Sequence, residues 1–112
     1  MPYTTTAPQF FSAALPKLLG AAPAASVSGI GVVEFDLGKN GIYWVDFDAR
    51  SVSRTARPPN CIVRATPADL MAVIEGRMSV GDGLLTKRLA LSGEASRLAR
   101  LAECLALFKT EI

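Results

Sequence analysis

The chain encodes an α+β architecture, and three features carry that reading. Between Ile30 and Asp48, apolar and polar residues alternate with the two-residue period of strands. After Thr66 a capped apolar stretch has the helical period, and after Glu94 leucines recur at three- and four-residue steps. The resulting order is helix, three or four antiparallel strands, helix, strand, helix, which is that of an α+β domain.

Taken in order, Met1 to Thr6 reads as a frayed end. Pro8 to Leu19 has helical spacing through Phe11, Ala14, Leu15, Leu18 and Leu19, and Pro16 predicts a kink or two short helices meeting there. Gly20 to Gly29 reads as a connector. Ile30 to Leu37 is a strand with Val33, Phe35 and Leu37 on one face and Glu34 and Asp36 on the other. Gly38-Lys39-Asn40-Gly41 turns the chain into a second strand, Ile42 to Asp48, and the two make a hairpin. Tyr43, Val45 and Phe47 share one face of that strand, and Trp44, Asp46 and Asp48 the other. Val52 to Arg57 is a polar strand ended by Pro58-Pro59-Asn60, and Cys61 to Ala65 is a short β-branched one.

Thr66 is an N-cap, Pro67 suits the first helical position, and Asp69 places negative charge at the positive helix end. Leu70, Met71, Val73 and Ile74 supply the apolar face, and Gly76 the left-handed stop. Gly81 and Gly83 mark a loop, Leu89-Ala90-Leu91 a strand ended by Ser92-Gly93, and Leu98, Leu101, Ala102, Leu105 and Phe108 the last amphipathic helix.

Length and composition narrow the function. At 112 residues the chain is expected to be one domain, residues 1–112, able to bury a core without disulfides. Apolar residues make up 50% of it, which fits either an alanine-rich helical surface or surplus apolar surface lining a cavity. A net charge of +2 with no dense basic patch argues against nucleic-acid binding. Lys87, Arg88, Arg97, Arg100 and Lys109 give the last third a mild basic bias, read first as a solvated face and second as an anionic-membrane contact. With no histidine and two isolated cysteines, Cys61 and Cys104, a structural zinc site is not expected, and no metal or cofactor is called for. Two free thiols suit a reducing compartment. Neither a signal peptide nor a run of eighteen apolar residues is present, and Thr110-Glu111-Ile112 is not a peroxisomal tripeptide, so the expectation is a cytoplasmic protein.

Catalysis has few candidates. Asp36, Asp46 and Asp48 could cluster as paired carboxylates, but the solvated outer face of a half-buried sheet is the favoured reading. Neither cysteine has an activating base nearby in sequence. Ser79-Val80-Gly81-Asp82-Gly83 lacks the Gly-Lys-Ser/Thr ending of a phosphate loop and follows no strand. No catalytic residue is assigned. A binding function remains, in which a sheet under helices holds a long apolar ligand between the layers.

The second half resembles the sterol carrier protein 2 (SCP2) domain family. The resemblance rests on a helix ending at Glu75-Gly76-Arg77-Met78, a loop of small and hydrophobic residues, the basic-apolar strand Leu84-Leu85-Thr86-Lys87-Arg88-Leu89-Ala90-Leu91, a glycine, and the last helix. The strand Trp44-Val45-Asp46-Phe47-Asp48 extends it upstream, so that it covers roughly Phe10 to Phe108. One departure is Thr86, where members often carry a glycine before the strand lysine.

The resemblance implies a mainly antiparallel five-stranded sheet covered on one face by helices. It also implies a tunnel for sterols, fatty acids, acyl-CoAs or other lipids, without catalysis. The residues expected on its wall are Phe35, Val45 and Phe47 from the sheet; Leu70, Ile74, Met78, Leu84 and Leu85 from the middle helix and bridge; and Leu101, Leu105 and Phe108 from the last helix. A fatty acyl chain, a phospholipid, a sterol-like lipid or an isoprenoid is the expected ligand. The alternative is a non-catalytic accessory or dimerisation module that assembles with a partner enzyme, for example in quinone biosynthesis, or with a second copy.

Overall fold

The computed structural model describes residues 7–108. Met1 to Thr6, Lys109 and the ending Thr110-Glu111-Ile112 lie outside the described residues. Helical run α1 (residues 7–21) has three parts, and Pro16 explains them. Proline has no N–H and crowds the carbonyl four residues before it, so an unbroken α ladder cannot pass through. The chain forms a π turn, Phe10–Ala14, in which the Leu15 N–H donates to the Phe10 carbonyl, between α segments Ala7–Gln9 and Leu15–Ala21. The expected break is thus absorbed as a local widening, with Pro16 in the first turn of the second α segment. A short helix α2 (Ala24–Val27) follows in the stretch expected to be a plain connector.

Strands β1 (Val32–Asp36) and β2 (Ile42–Asp46) form the expected hairpin, with Val33 opposite Val45 and Phe35 opposite Tyr43. Both are shorter than the apolar pattern. Each ends where an aspartate turns back on the chain: Asp36 Oδ1 accepts the Gly38 N–H at 2.9 Å, and Asp46 Oδ1 accepts the N–H groups of Asp48 and Ala49 at 3.0 Å. Strand β3 (Ser51–Ser53) begins one residue before the expected polar strand and stops well before Arg57. The Ser53 hydroxyl accepts the Thr55 N–H at 2.9 Å and bends the chain away. Strand β4 (Cys61–Ala65) has the expected bounds.

Helix α3 (Pro67–Ile74) starts as predicted, with Thr66 Oγ1 accepting the Asp69 N–H at 3.1 Å. Gly76, at φ 81°, occupies the left-handed position after it. The next stretch differs from expectation. Instead of a loop and a strand from Leu84, residues Val80–Leu85 form a helix, α4, capped by Ser79 Oγ accepting the Asp82 N–H at 3.0 Å. Lys87 then takes the left-handed turn at φ 62°, so the glycine that Thr86 replaces is not needed in front of it. Strand β5 (Leu89–Gly93) and helix α5 (Ala95–Phe108) complete the chain.

The sheet order is β3-β2-β1-β4-β5. Three pairings are antiparallel, but β1 and β4 run parallel, with Val33 opposite Cys61 and Phe35 opposite Val63. The sheet is therefore mixed, because the chain leaves β3 at one edge and returns on the far side of β1. Pairing partners across such a crossover leave no local trace in sequence. The registers put Val33, Phe35, Tyr43, Val45, Cys61 and Val63 on one buried face, and the helices pack there. The other face is mixed and largely half-buried: Val32, Ile42, Trp44 and Ile62 lie among Glu34, Asp36, Asp46 and Arg64, and Trp44 Nε1 donates to Glu34 Oε1 at 3.2 Å.

Candidate functional site

Phe35, Val45, Phe47, Leu70, Ile74, Leu101, Leu105 and Phe108 share one buried cluster between sheet and helices, and Met78 packs half-buried against it. Leu84 and Leu85 do not join them; they are 42% and 84% exposed. In α4 the buried residue is Gly83, where a Cβ would sit 3.0 Å from the Leu89 Cβ, so this helix lies on β5 through its glycine.

Two apolar clefts flank α5. The first, of about 230 Å³, lies between the end of α1, α2 and α5, and is lined by Leu18, Ala21, Ala22, Pro23, Ser26, Cys104, Leu107 and Phe108. The second, of about 220 Å³, lies between the α3–α4 turn and α5, and is lined by Val73, Gly76, Met78, Ser79, Val80, Ala102 and Ala106. Of the residues expected on the wall, Phe108 borders the first and Met78 the second. Sequence reasoning passed over Ala22, Pro23 and Ser26. Their small side chains are what leave the space, and a cluster of small residues before a strand was the signal available.

Three arginines hold the segment over the first cleft. Arg50 Nη1 donates to the carbonyls of Leu19 and Ala22, each at 2.8 Å. Arg100 donates to the carbonyls of Ala25 and Ser28, and Arg97 Nη1 to that of Ile30 at 3.2 Å. These contacts satisfy backbone acceptors that no helix or strand partner reaches.

Neither cleft wall carries a carboxylate, amine or guanidinium. Burial pushes the Cys104 thiol up to about 11, against the opposing pull of Arg100. Burial also raises Cys61, with Arg97 opposing and Glu94 adding to it. Both thiols therefore stay protonated at neutral pH and are poor nucleophiles. The acidic trio does not make a site either. Antiparallel pairing puts Asp36 and Asp46 at opposite ends of the β1–β2 ladder, and each has an arginine partner at 3.5 Å, Arg64 and Arg57. Among the described residues no three His, Cys, Asp or Glu side chains gather to hold a metal ion. None of the described helices is long and apolar enough to cross a membrane. What the geometry offers is apolar space on either side of α5, between it and the neighbouring helices.

No curated protein matches the chain by sequence. Solved structures share its fold. Sterol Carrier Protein 2 Like 2 from Aedes aegypti is 24% identical, with 87% of this chain and 94% of that one aligned and a TM-score of 0.71. Sterol Carrier Protein-2 from Aedes aegypti, in complex with palmitate, is 12% identical over 92% of this chain and 97% of that one, with a TM-score of 0.73. A UbiJ-SCP2 ubiquinone synthesis protein is 19% identical over 98% and 97%, with a TM-score of 0.67. The model of the SCP-2 sterol transfer family matches residues 14–106, from the π turn of α1 to the last turn of α5. The chain thus belongs to the SCP-2 sterol transfer family.

Proposed function

We propose that this protein is a non-catalytic cytoplasmic lipid carrier, and that residues 1–112 act as one SCP2-like domain holding an acyl chain or a similarly long apolar molecule. The observation that carries the reading is the pair of apolar clefts beside α5, whose walls hold no group able to exchange a proton at neutral pH. The palmitate bound by the Aedes aegypti relative supports an acyl ligand. The two buried, unpaired thiols suit a reducing compartment.

Each cleft falls short of the roughly 300 Å³ at which pockets for drug-sized ligands begin. Uptake of a full acyl chain therefore moves α5 and its aromatic neighbours outward and joins cleft to core. Phe35, Val45, Phe47, Leu70, Ile74, Leu101 and Leu105 then become wall. The driving force is apolar burial, at about 25 cal/mol per Å².

Native mass spectrometry with palmitate tests this. The wild-type protein is expected to gain one palmitate mass. Leu105→Trp should fold with about 1–3 kcal/mol less stability, because the site is already full, and should take up none. Equal uptake by the folded variant would remove α5 from the wall. No uptake of fatty acid, acyl-CoA, phospholipid or quinone by the wild type would end the carrier reading.

A second reading has one observation in its favour. The UbiJ-SCP2 protein aligns over nearly the whole of both chains. On that reading the fold is an accessory module that presents a lipid intermediate to a partner enzyme or pairs with a second copy.

A further inference from the structure

The corner between α4 and β5 carries a surface that the clefts do not explain. Among the described residues the exposed large apolar side chains are Leu84, Leu85 and Leu107, and the first two are neighbours at the end of α4. Isolated exposed leucines are ordinary on protein surfaces, but an adjacent pair with one member 84% exposed is not the usual scatter. The helix cannot roll to bury them, because Gly83 must face β5 for α4 to lie against Leu89.

Cations stand beside the leucines. The chain leaves α4 through Thr86 and the left-handed Lys87, and Lys87 and Arg88 are both exposed. Among the described residues neither has an ion-pair partner; the four ion pairs involve Arg57, Arg64, Arg77 and Arg97. Arg88 Nη1 instead lies 4.0 Å from Met78 Sδ, over the rim of the second cleft. The carboxylate of α4, Asp82, sits in its first turn, at the end away from the cations. Exposed leucines flanked by unpaired cations match a lipid interface, where apolar side chains enter the headgroup–acyl boundary and basic ones meet lipid phosphates.

We propose that the α4–β5 corner docks the protein on a membrane surface bearing anionic lipids, with Leu84 and Leu85 inserted and Lys87 and Arg88 on the phosphates. The inference deepens the carrier reading, on which its purpose rests. Met78, whose sulfur Arg88 reaches, lines the second cleft, so docking through this corner brings the rim of that cleft towards the bilayer.

Co-sedimentation with vesicles of phosphatidylcholine alone, and of phosphatidylcholine with phosphatidylglycerol, tests it. The wild type is expected to bind the mixed vesicles more tightly, and less so as salt rises. Lys87→Asn with Arg88→Gln should weaken that binding roughly 30-fold, and asparagine suits the left-handed backbone at position 87. Leu84→Ser with Leu85→Ser should weaken binding to both vesicle types by about tenfold or more. Both double variants should still gain a palmitate mass in the absence of vesicles, which separates docking from ligand binding. Vesicle binding by a wild type that takes up no lipid would sink the carrier reading and leave the docking surface standing. Equal wild-type binding to both vesicle types, or variants that bind as the wild type does, would overturn the proposal. A wild-type dimer in analytical ultracentrifugation that the leucine double variant dissolves, without vesicle binding, would overturn it in favour of a second copy on this corner.

Discussion

Phe11→Ala is expected to cost about 3–5 kcal/mol, a large part of the roughly 5–15 kcal/mol that holds a domain folded. The Phe11 ring is fully buried in the π turn of α1. It stacks on Tyr43 at 4.2 Å and meets Phe35 at 5.2 Å and Phe10 edge-on at 5.3 Å. Through these rings one helical residue grips both β1 and β2. The Arg54 guanidinium covers the opposite side of the cluster, 4.4 Å from the Tyr43 ring centre, so the site is closed and cannot collapse easily around a void. Urea denaturation of the variant measures the loss. A cost below about 1 kcal/mol would show that α1 is not anchored here.

Gly93→Ala should be the most damaging substitution of a glycine, at about 3 kcal/mol. Gly93 ends β5 opposite Cys61 with φ 136°, a conformation that costs an L-residue dearly. A Cβ there would lie 2.7 Å from the Asn60 carbonyl oxygen and 3.0 Å from the Cys61 Cα. Both are backbone atoms and cannot swing aside. Gly20→Ala is the contrasting case: the residue is helical, nothing lies within 4 Å of its Cβ position, and stability should rise by roughly 0.5–1 kcal/mol. Thermal melts of the two variants should therefore shift in opposite directions. A Gly93→Ala protein as stable as the wild type would mean that the end of β5 is free to move off β4.

Features set by neighbouring residues were legible in the sequence. The Thr66 cap, the β4 bounds and the inward set Val33, Phe35, Tyr43 and Val45 all follow from local chemistry and side-chain period. Helix α4 was hidden because Gly81 and Gly83 each cost about 1 kcal/mol in a helix. The Ser79 cap and the close seat of Gly83 on Leu89 outweigh that, and the second of these is tertiary. The segment over the first cleft read as a connector because its order comes from Arg50, Arg97 and Arg100, which are distant in sequence. The candidate site was legible only as apolar period. Helical spacing marks Leu101 and Leu105 as inward-facing, but the first cleft lies along Cys104, Leu107 and Phe108, opposite the small side chains of Ala22, Pro23 and Ser26.

The single parallel ladder between β1 and β4 also shapes how the chain reaches its native state. Strands β1 to β3 follow one another through short turns and can zip locally. Strands β4 and β5 form the remaining antiparallel pair, around α3 and α4. Within the sheet the two groups meet only where β4 lies along β1. Closing that ladder means drawing together a long loop, and its entropy is lost before any contact compensates for it. In refolding followed by pulsed hydrogen exchange, the amides shared by β1 and β4 should gain protection after those of the β1–β2 hairpin. Simultaneous protection would show instead that the whole sheet condenses in one step.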